Sequence, residues 1–224
     1  MAVPLVNDDV VVSDVRPMMR GQLHRWFTLL GIPSFVVMVV VADSGTRRAA
    51  MVVYGVGVLA MLGTSAVYHS GWLSEQVTAV LKRIDHVTIL FAIAGSYTAV
   101  TVLALEGSSE TTLLVFVWSA TVVGAAIRMF WLHAPRPVVS LVYLVVGWSA
   151  LLEIAALVDS LGAIDTTLLV VGGGLYTVGA VVYAAKRPNP WPRHFGFHEI
   201  FHSLVVAAAT LHYVLVMRLL TGAT

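Results

Sequence analysis

Long apolar stretches free of charged residues recur along most of this chain, and short polar segments separate them. A helix needs about 20 residues to cross the roughly 30 Å hydrocarbon core of a bilayer. We predict seven such spans, at 26–42, 49–68, 87–105, 111–132, 138–158, 166–185 and 198–220. Continuous helices satisfy their own backbone groups in lipid, and the alternating ten-residue segments of a barrel are not visible. The pattern therefore predicts an all-α, polytopic membrane protein, a bundle of seven transmembrane helices.

The first 25 residues differ from the rest because they form a polar segment with several charges, among them Asp8, Asp9 and Asp14. A signal peptide would turn apolar at once and end at a small-residue cleavage site. We therefore expect a polar cytoplasmic tail at 1–25, a retained first span, and one transmembrane domain at 26–224.

Composition narrows the class of protein further. Of the 224 residues, 58% are hydrophobic and 11% are charged, whereas a soluble domain carries about 25% charged residues. So little polar surface excludes an ordinary soluble enzyme, a disordered protein and a nucleic-acid binder. The chain has no cysteine, which excludes disulfides, thiolate metal ligands and a cysteine nucleophile. Any metal must be held by His, Asp or Glu.

Basic residues are divided unevenly between the two ends of the predicted bundle. Of the 13 lysines and arginines, only Arg47, Arg48 and Arg218 lie on the side away from the N-terminus. The side of the N-terminus holds the others: Arg16, Arg20, Arg25, Lys82, Arg83, Arg128, Arg136, Lys186, Arg187 and Arg193. The positive-inside rule then places the N-terminus in the cytoplasm and the C-terminus outside. We expect the membrane to be the inner (plasma) membrane of the cell.

A few ionisable or metal-binding groups lie within or at the ends of the predicted spans, where such groups are costly and mark function. His198 and His202 are four residues apart at the start of the seventh span, which stacks two imidazoles on one helix face. His69 ends the second span, with Ser65 one turn earlier, and Asp85 begins the third. Each has an ordinary alternative, either an interfacial histidine or a carboxylate that complements a helix dipole.

The predicted topology brings these groups to one membrane depth. The second span ends at the cytoplasmic face, and the third and seventh begin there, so His69, Asp85, His198 and His202 share that face. Three imidazoles and an open position are the donor set of a catalytic zinc site. A nearby carboxylate can orient or deprotonate the water that zinc acidifies. The sequence thus predicts a zinc site on this face.

Other residues carry weaker signals. The string at 198–202 also matches HExxH, in which Glu199 would be the base of a zinc protease. Nothing else in the chain indicates a protease, and Glu199 can equally be a helix-start carboxylate facing the polar loop. His86 is a candidate for the second shell, His212 for a packing or relay role, and Arg128 can snorkel inward from the end of the fourth span.

The combined pattern resembles the hemolysin III family, the bacterial branch of the progestin and adipoQ receptor (PAQR) superfamily, over essentially the whole spanning region. The order, spacing and helix positions of three signatures carry this resemblance. They are Ser65-x-x-x-His69 at the end of helix two, Asp85 at the start of helix three followed by AGSYT at 94–98, and His198-x-x-x-His202 in helix seven.

The resemblance implies zinc bound by His69, His198 and His202 on the cytoplasmic side, with Asp85 near the water and Ser65 in the same site. Asp85 then replaces Glu199 as the base. The implied function is a zinc-dependent hydrolase of a ceramide-like lipid amide that contributes to membrane-fluidity homeostasis, with membrane lipids and a lipid substrate as its partners. A regulator with a structural zinc and a pore-forming cytolysin are the alternatives.

Overall fold

The computed structural model describes residues 17–131 and 135–223, and these residues form a helical bundle. Asp8, Asp9, Asp14 and Arg16 lie outside the described residues. Within the described part, seven helical spans are long and apolar enough to cross a membrane, which confirms the predicted all-α seven-span architecture. The first to seventh spans are Gln22–Val41, Gly45–Tyr68, Glu75–Ala104, Gly107–Phe130, Pro137–Ser160, Ala163–Ala185 and Phe197–Thr221.

The third span is the one that departs most from its predicted bounds, because it begins at Glu75 rather than at residue 87. The Ser74 hydroxyl caps it by accepting a hydrogen bond from the Val77 N–H at 3.4 Å, and Glu75 supplies the acidic first turn. These early turns are polar, so a search for apolar stretches does not detect them. Asp85 consequently lies well inside the helix, and its interpretation as a helix-start carboxylate is wrong.

The second and third spans pack against each other most closely of all the pairs. Glycines permit this approach: a Cβ at Gly57 would lie 2.7 Å from the Phe91 carbonyl oxygen, and one at Gly95 would lie 2.9 Å from that of Val53. Small residues at such interfaces are how membrane helices reach close van der Waals contact. The close packing fixes the end of the second span against the middle of the third.

The fifth span is broken rather than continuous. It runs as an α-helix over Arg136–Gly147, as a 3-10 turn over Ser149–Glu153, and again as an α-helix over Ile154–Ser160. The Tyr97 hydroxyl donates to the Gly147 carbonyl at 2.6 Å and accepts from the Ala150 N–H at 2.8 Å. Backbone groups freed at membrane depth need partners of this kind. Gly147 and Trp148 at the break line two cavities of the bundle.

Candidate metal centre

Three histidines from two spans meet at the end of the bundle where the first span begins. His69, His198 and His202 each offer one ring nitrogen, and these nitrogens all lie within 4.8 Å of one another. The Nε2 atoms of His69 and His198 are 3.1 Å apart. Metal–nitrogen bonds of about 2.0–2.1 Å in a tetrahedral site require ligand spacings of this order. The three side chains are therefore compatible with a metal site.

Local structure explains why these imidazoles converge. His69 is the residue at which the second helix stops, and its N–H still donates to the Ser65 carbonyl at 3.0 Å. The seventh helix begins at Phe197, after Gly196. His198 and His202 are consequently one turn apart on one face at the start of that helix. The site forms where one helix ends and another begins.

Asp85 and Ser65 lie beside this trio. The Ser65 hydroxyl lies near the Asp85 carboxyl group, it is buried without a hydrogen-bond partner among the described residues, and both residues line an internal cavity. The turn that carries Asp85 is held to the second span, because Thr88 donates to the Asp85 carbonyl at 3.0 Å and its hydroxyl lies 3.0 Å from that of Thr64. Predicted from separate motifs, the two residues are neighbours in the fold.

The cavity next to the metal centre has a volume of about 500 Å³. Its polar end includes the three histidines, Asp85 and several cations, and its deeper walls are largely apolar. A smaller cavity of about 100 Å³ continues from it, sharing residues at the break in the fifth span. The deeper walls are formed by Met61, Ile89, Ala92, Ile93, Leu144 and Val205. A ligand with one polar end and an apolar tail suits this shape.

Glu199 is used for structure, although it lies within the HExxH string. Its Oε2 accepts the Gly196 N–H at 2.9 Å, its Oε1 forms an ion pair with Arg20, and the side chain is only 1% exposed. Both carboxylate oxygens therefore have partners away from the histidine trio. The protease interpretation finds no support in this arrangement.

Gly21, just before the first span, and His24, in its first turn, both lie against the histidine trio. The sequence analysis missed both residues. The His24 ring stacks on that of His202, with centroids 3.9 Å apart and planes within 15°. Gly21 has a φ of +79°, and a Cβ there would lie 2.8 Å from the His69 Cβ. Predicting residues 1–25 as a polar tail hid this role. In the sequence, His24 follows Gly21 by three residues, just before the first apolar stretch. This spacing is the signal that could have indicated their role.

The weaker candidates also lie near the cavity. His86 lines it with Nδ1 2.5 Å from the Lys82 carbonyl oxygen. His212 borders both cavities, at the depth where Gly172 leaves room for its ring. Arg128 is 2% exposed and lies in the cavity wall, and its predicted inward snorkelling stays a prediction. Its position makes it part of the site.

Comparison with known proteins agrees with these features. A family model described as Haemolysin-III related matches residues 13–213. The chain belongs to this family. It is 32% identical over 197 residues to the Hemolysin-3 homolog of Bacillus subtilis (strain 168), covering 87% of this chain and 89% of that protein. It is 28% identical to Hemolysin-3 of Bacillus cereus, covering 87% of each chain.

More distant relatives extend the match beyond bacteria. The monocyte to macrophage differentiation factor of Homo sapiens is 26% identical over 202 residues, covering 88% of this chain and 81% of that protein. The adiponectin receptor protein of Drosophila melanogaster is 46% identical over 50 residues, which is 20% of this chain. These matches confirm the resemblance to the hemolysin III and PAQR group. The protein is a multi-pass membrane protein of that group.

Proposed function

We propose that this hemolysin III protein is a zinc-dependent hydrolase that cleaves ceramide-like lipid amides at the cytoplasmic leaflet of the inner membrane, and thereby contributes to membrane lipid homeostasis. The observation that carries the proposal is the position of three imidazoles and one carboxyl group at the polar end of a deep apolar cavity. A lipid that bound with its polar end at these groups would present its amide bond to them, which supports the proposal.

The donor set favours catalysis over a purely structural role. In the described part of the chain, the metal-binding group consists of His69, His198 and His202. Three histidines leave a coordination position open, whereas structural zinc sites use four protein ligands. A zinc ion held there supplies Lewis acidity toward a carbonyl oxygen and makes water a better nucleophile at neutral pH.

Asp85 and Ser65 carry out the proton transfers and the orientation of the reacting groups. Asp85 accepts a proton from the attacking water and delivers it to the leaving nitrogen, as a general base and then a general acid. Ser65, which lies near Asp85, orients the water or the developing oxyanion. Water adds to the amide carbonyl and the C–N bond breaks, so the products are a fatty acid and an amine. The apolar walls hold the acyl chain and limit the access of bulk water.

The distribution of basic residues supports a proposal for the side of the membrane on which the metal centre lies. The metal centre lies at the end where the first span begins, and the predicted loops at that end carry most of the basic residues. This distribution supports a cytoplasmic N-terminus and a metal centre that faces the inner leaflet.

The test is lipid turnover by the purified full-length protein in nanodiscs. Mass spectrometry would follow the release of fatty acid and amine from a ceramide. We expect Asp85→Asn to retain zinc and lower the rate by about 10²- to 10⁴-fold, the usual contribution of a general acid–base group. Asp159→Asn, at an exposed acid near the other end of the fifth span, should have no effect. A wild-type protein that holds zinc and cleaves no lipid amide would contradict the proposal.

A regulator is the second candidate, because the histidine trio joins the end of the second span to the start of the seventh. A metal bound there would stabilise one packing of these helices. Removal of the metal should then lower the thermal midpoint of unfolding strongly while no lipid is converted under any condition. That pair of results would favour regulation over hydrolysis.

A further inference from the structure

A buried guanidinium without a carboxylate partner lies in the wall of the main cavity. Arg128 is 2% exposed and borders the same cavity as the metal centre. The ion pairs found among residues 17–131 and 135–223 all involve other arginines. A buried charge without a counter-ion is expensive in protein or lipid. Such a charge suggests that an anion binds beside it.

The contacts of Arg128 leave much of its hydrogen-bonding capacity available. Its Nη1 donates to the Trp131 carbonyl at 3.1 Å, while its buried Nε has no hydrogen-bond partner among the described residues. The Tyr143 hydroxyl lies beside the guanidinium and donates to the His86 carbonyl at 3.0 Å. A guanidinium has five N–H donors, so capping the end of the fourth span does not use them all.

A second cation lies in the same region. Lys82 lines the cavity, and within the described chain it forms no ion pair. It precedes Asp85 by three residues on the third helix, a rise of about 4.5 Å. We call Lys82, Arg128 and Tyr143 the anion subsite. These residues line the same cavity as Asp85 and the three histidines.

We propose that the anion subsite binds a negatively charged oxygen group at the polar end of the lipid substrate. The preferred substrate is then a lipid amide that carries a carboxylate or a phosphate close to the scissile bond, as in an N-acyl amino acid. A guanidinium matches both groups through paired N–H donors. The inference rests on the proposed function for the choice of a lipid amide, and it adds the charge of the headgroup.

The experiment compares two ligands that differ only in charge. In 4-oxopentadecanoic acid and 4-oxopentadecanamide, a methylene replaces the amide nitrogen of an N-acylglycine and of its neutral amide, so neither is hydrolysed. Their dissociation constants would be measured on the full-length, zinc-loaded protein in phosphatidylcholine nanodiscs. We expect the acid to bind about 10- to 100-fold more tightly, as a charge-assisted hydrogen bond predicts.

Variants of the subsite residues test whether the preference for the acid over the amide depends on them. Arg128→Gln should remove it, whereas Arg25→Gln, at an exposed arginine of the first span, should retain it. Tyr143→Phe should reduce it in part. If Arg128→Gln does not fold, Arg128→Lys preserves a cation and should retain a weaker preference. The wild-type comparison decides the matter without any variant, because equal affinities for the acid and the amide would overturn the inference.

Two further ligands, dodecyl phosphate and inorganic phosphate, test which kind of anion the subsite binds. Dodecyl phosphate that binds with the same dependence on Arg128 would extend the subsite to phosphate headgroups. Inorganic phosphate that displaces 4-oxopentadecanoic acid at equal concentration would overturn the assignment to a lipid headgroup. A purely capping role for Arg128 predicts that Arg128→Gln lowers stability and weakens both ligands equally, which would also overturn it.

The binding experiment tests the anion subsite and the turnover experiment tests the hydrolase, and either one can fail without the other. A preference for the acid in a protein that cleaves no lipid amide would support the subsite and contradict the hydrolase. Turnover of ceramide together with equal affinities for the two ketones would support the hydrolase and contradict the subsite.

Discussion

The two ends of the bundle bury ionisable groups in different ways. At the end opposite the metal centre, Asp165 is 0% exposed and accepts a hydrogen bond from Arg218 Nε at 2.6 Å. This ion pair joins the sixth span to the seventh, although the buried Asp165 Oδ2 has no hydrogen-bond partner among the described residues. At the end of the metal centre, Asp85 and Arg128 border a cavity, and neither has an ion-pair partner among the residues described. The opposite end uses its buried charge to hold helices together. The end of the metal centre has one such pair as well, Glu199 with Arg20, but it also places Asp85 and Arg128 in the wall of a cavity.

The comparison separates charged groups that join helices from charged groups that line a cavity and could meet a ligand. An ion pair that closes on itself contributes to helix association and needs nothing from outside. A cluster of histidines, a carboxyl group and a cation around a cavity is costly until something binds. Changes at the metal centre should therefore alter ligand binding, while changes at Asp165 should alter unfolding.

The largest effect is expected from removing a metal ligand. His198→Ala should weaken zinc binding by about 100- to 1,000-fold, because roughly 10–16 kcal/mol of binding in a four-ligand site is about 2.5–4 kcal/mol per ligand. Elemental analysis of the purified protein would measure the loss. His194→Ala, at an exposed histidine in the preceding loop, is the matched control. Unchanged metal content in His198→Ala would remove the basis for the metal centre.

An intermediate effect is expected at the opposite end. Asp165→Ala leaves Arg218 without its partner and should lower the free energy of unfolding by about 2 kcal/mol. This is less than for a fully buried pair, because the Arg218 side chain is 25% exposed. Unfolding in a denaturing detergent would measure the change, and zinc content should not alter.

Two controls sharpen that prediction. The double change Asp165→Leu with Arg218→Met should recover most of the lost stability, since no unpaired charge remains. Asp43→Ala removes the partner of Arg47 in an exposed pair and should cost less than about 1 kcal/mol. If Asp165→Ala instead released zinc, the contrast between the two ends would be wrong.

The smallest effect is expected at His24, which is 3% exposed and stacks on His202. Loss of the stacked ring in His24→Ala should weaken zinc binding by up to about tenfold through poorer orientation of His202. His24→Phe retains a ring and should stay close to the wild type. Competition with a chelator would measure both affinities. An equal loss in the two variants would show that the imidazole nitrogens, rather than the stacked ring, matter.

Much of the site was predictable because helices turn sequence spacing into position. Alternating spans place His69 and His198 at the same end, and a spacing of four places His202 on the same face as His198. The proximity of Ser65 to Asp85 was expected only from the family resemblance. The packing of Gly57 and Gly95 supplies its physical cause.

Other features depend on contacts that apolar patterns do not record. The third helix continues to Glu75 through polar turns, and the fifth span breaks where the Tyr97 hydroxyl can bind its free backbone groups. The Arg128 guanidinium lies beside Tyr143 in the cavity wall. The break in the fifth span depends on a residue far away in the chain, whereas the start of the third helix depends on the adjacent Ser74 cap.

The amino-acid sequence by itself determined that this protein is a seven-span membrane protein, and that His69, His198, His202 and Asp85 lie at one end of the bundle. Hydropathy and helical period are local properties, so they need no knowledge of neighbouring helices. The tertiary structure decided which face of each helix turns inward. That rotation depends on side-chain packing between spans. It made Glu199 a structural partner of Arg20, stacked His24 on His202, and set Arg128 in the wall of a cavity.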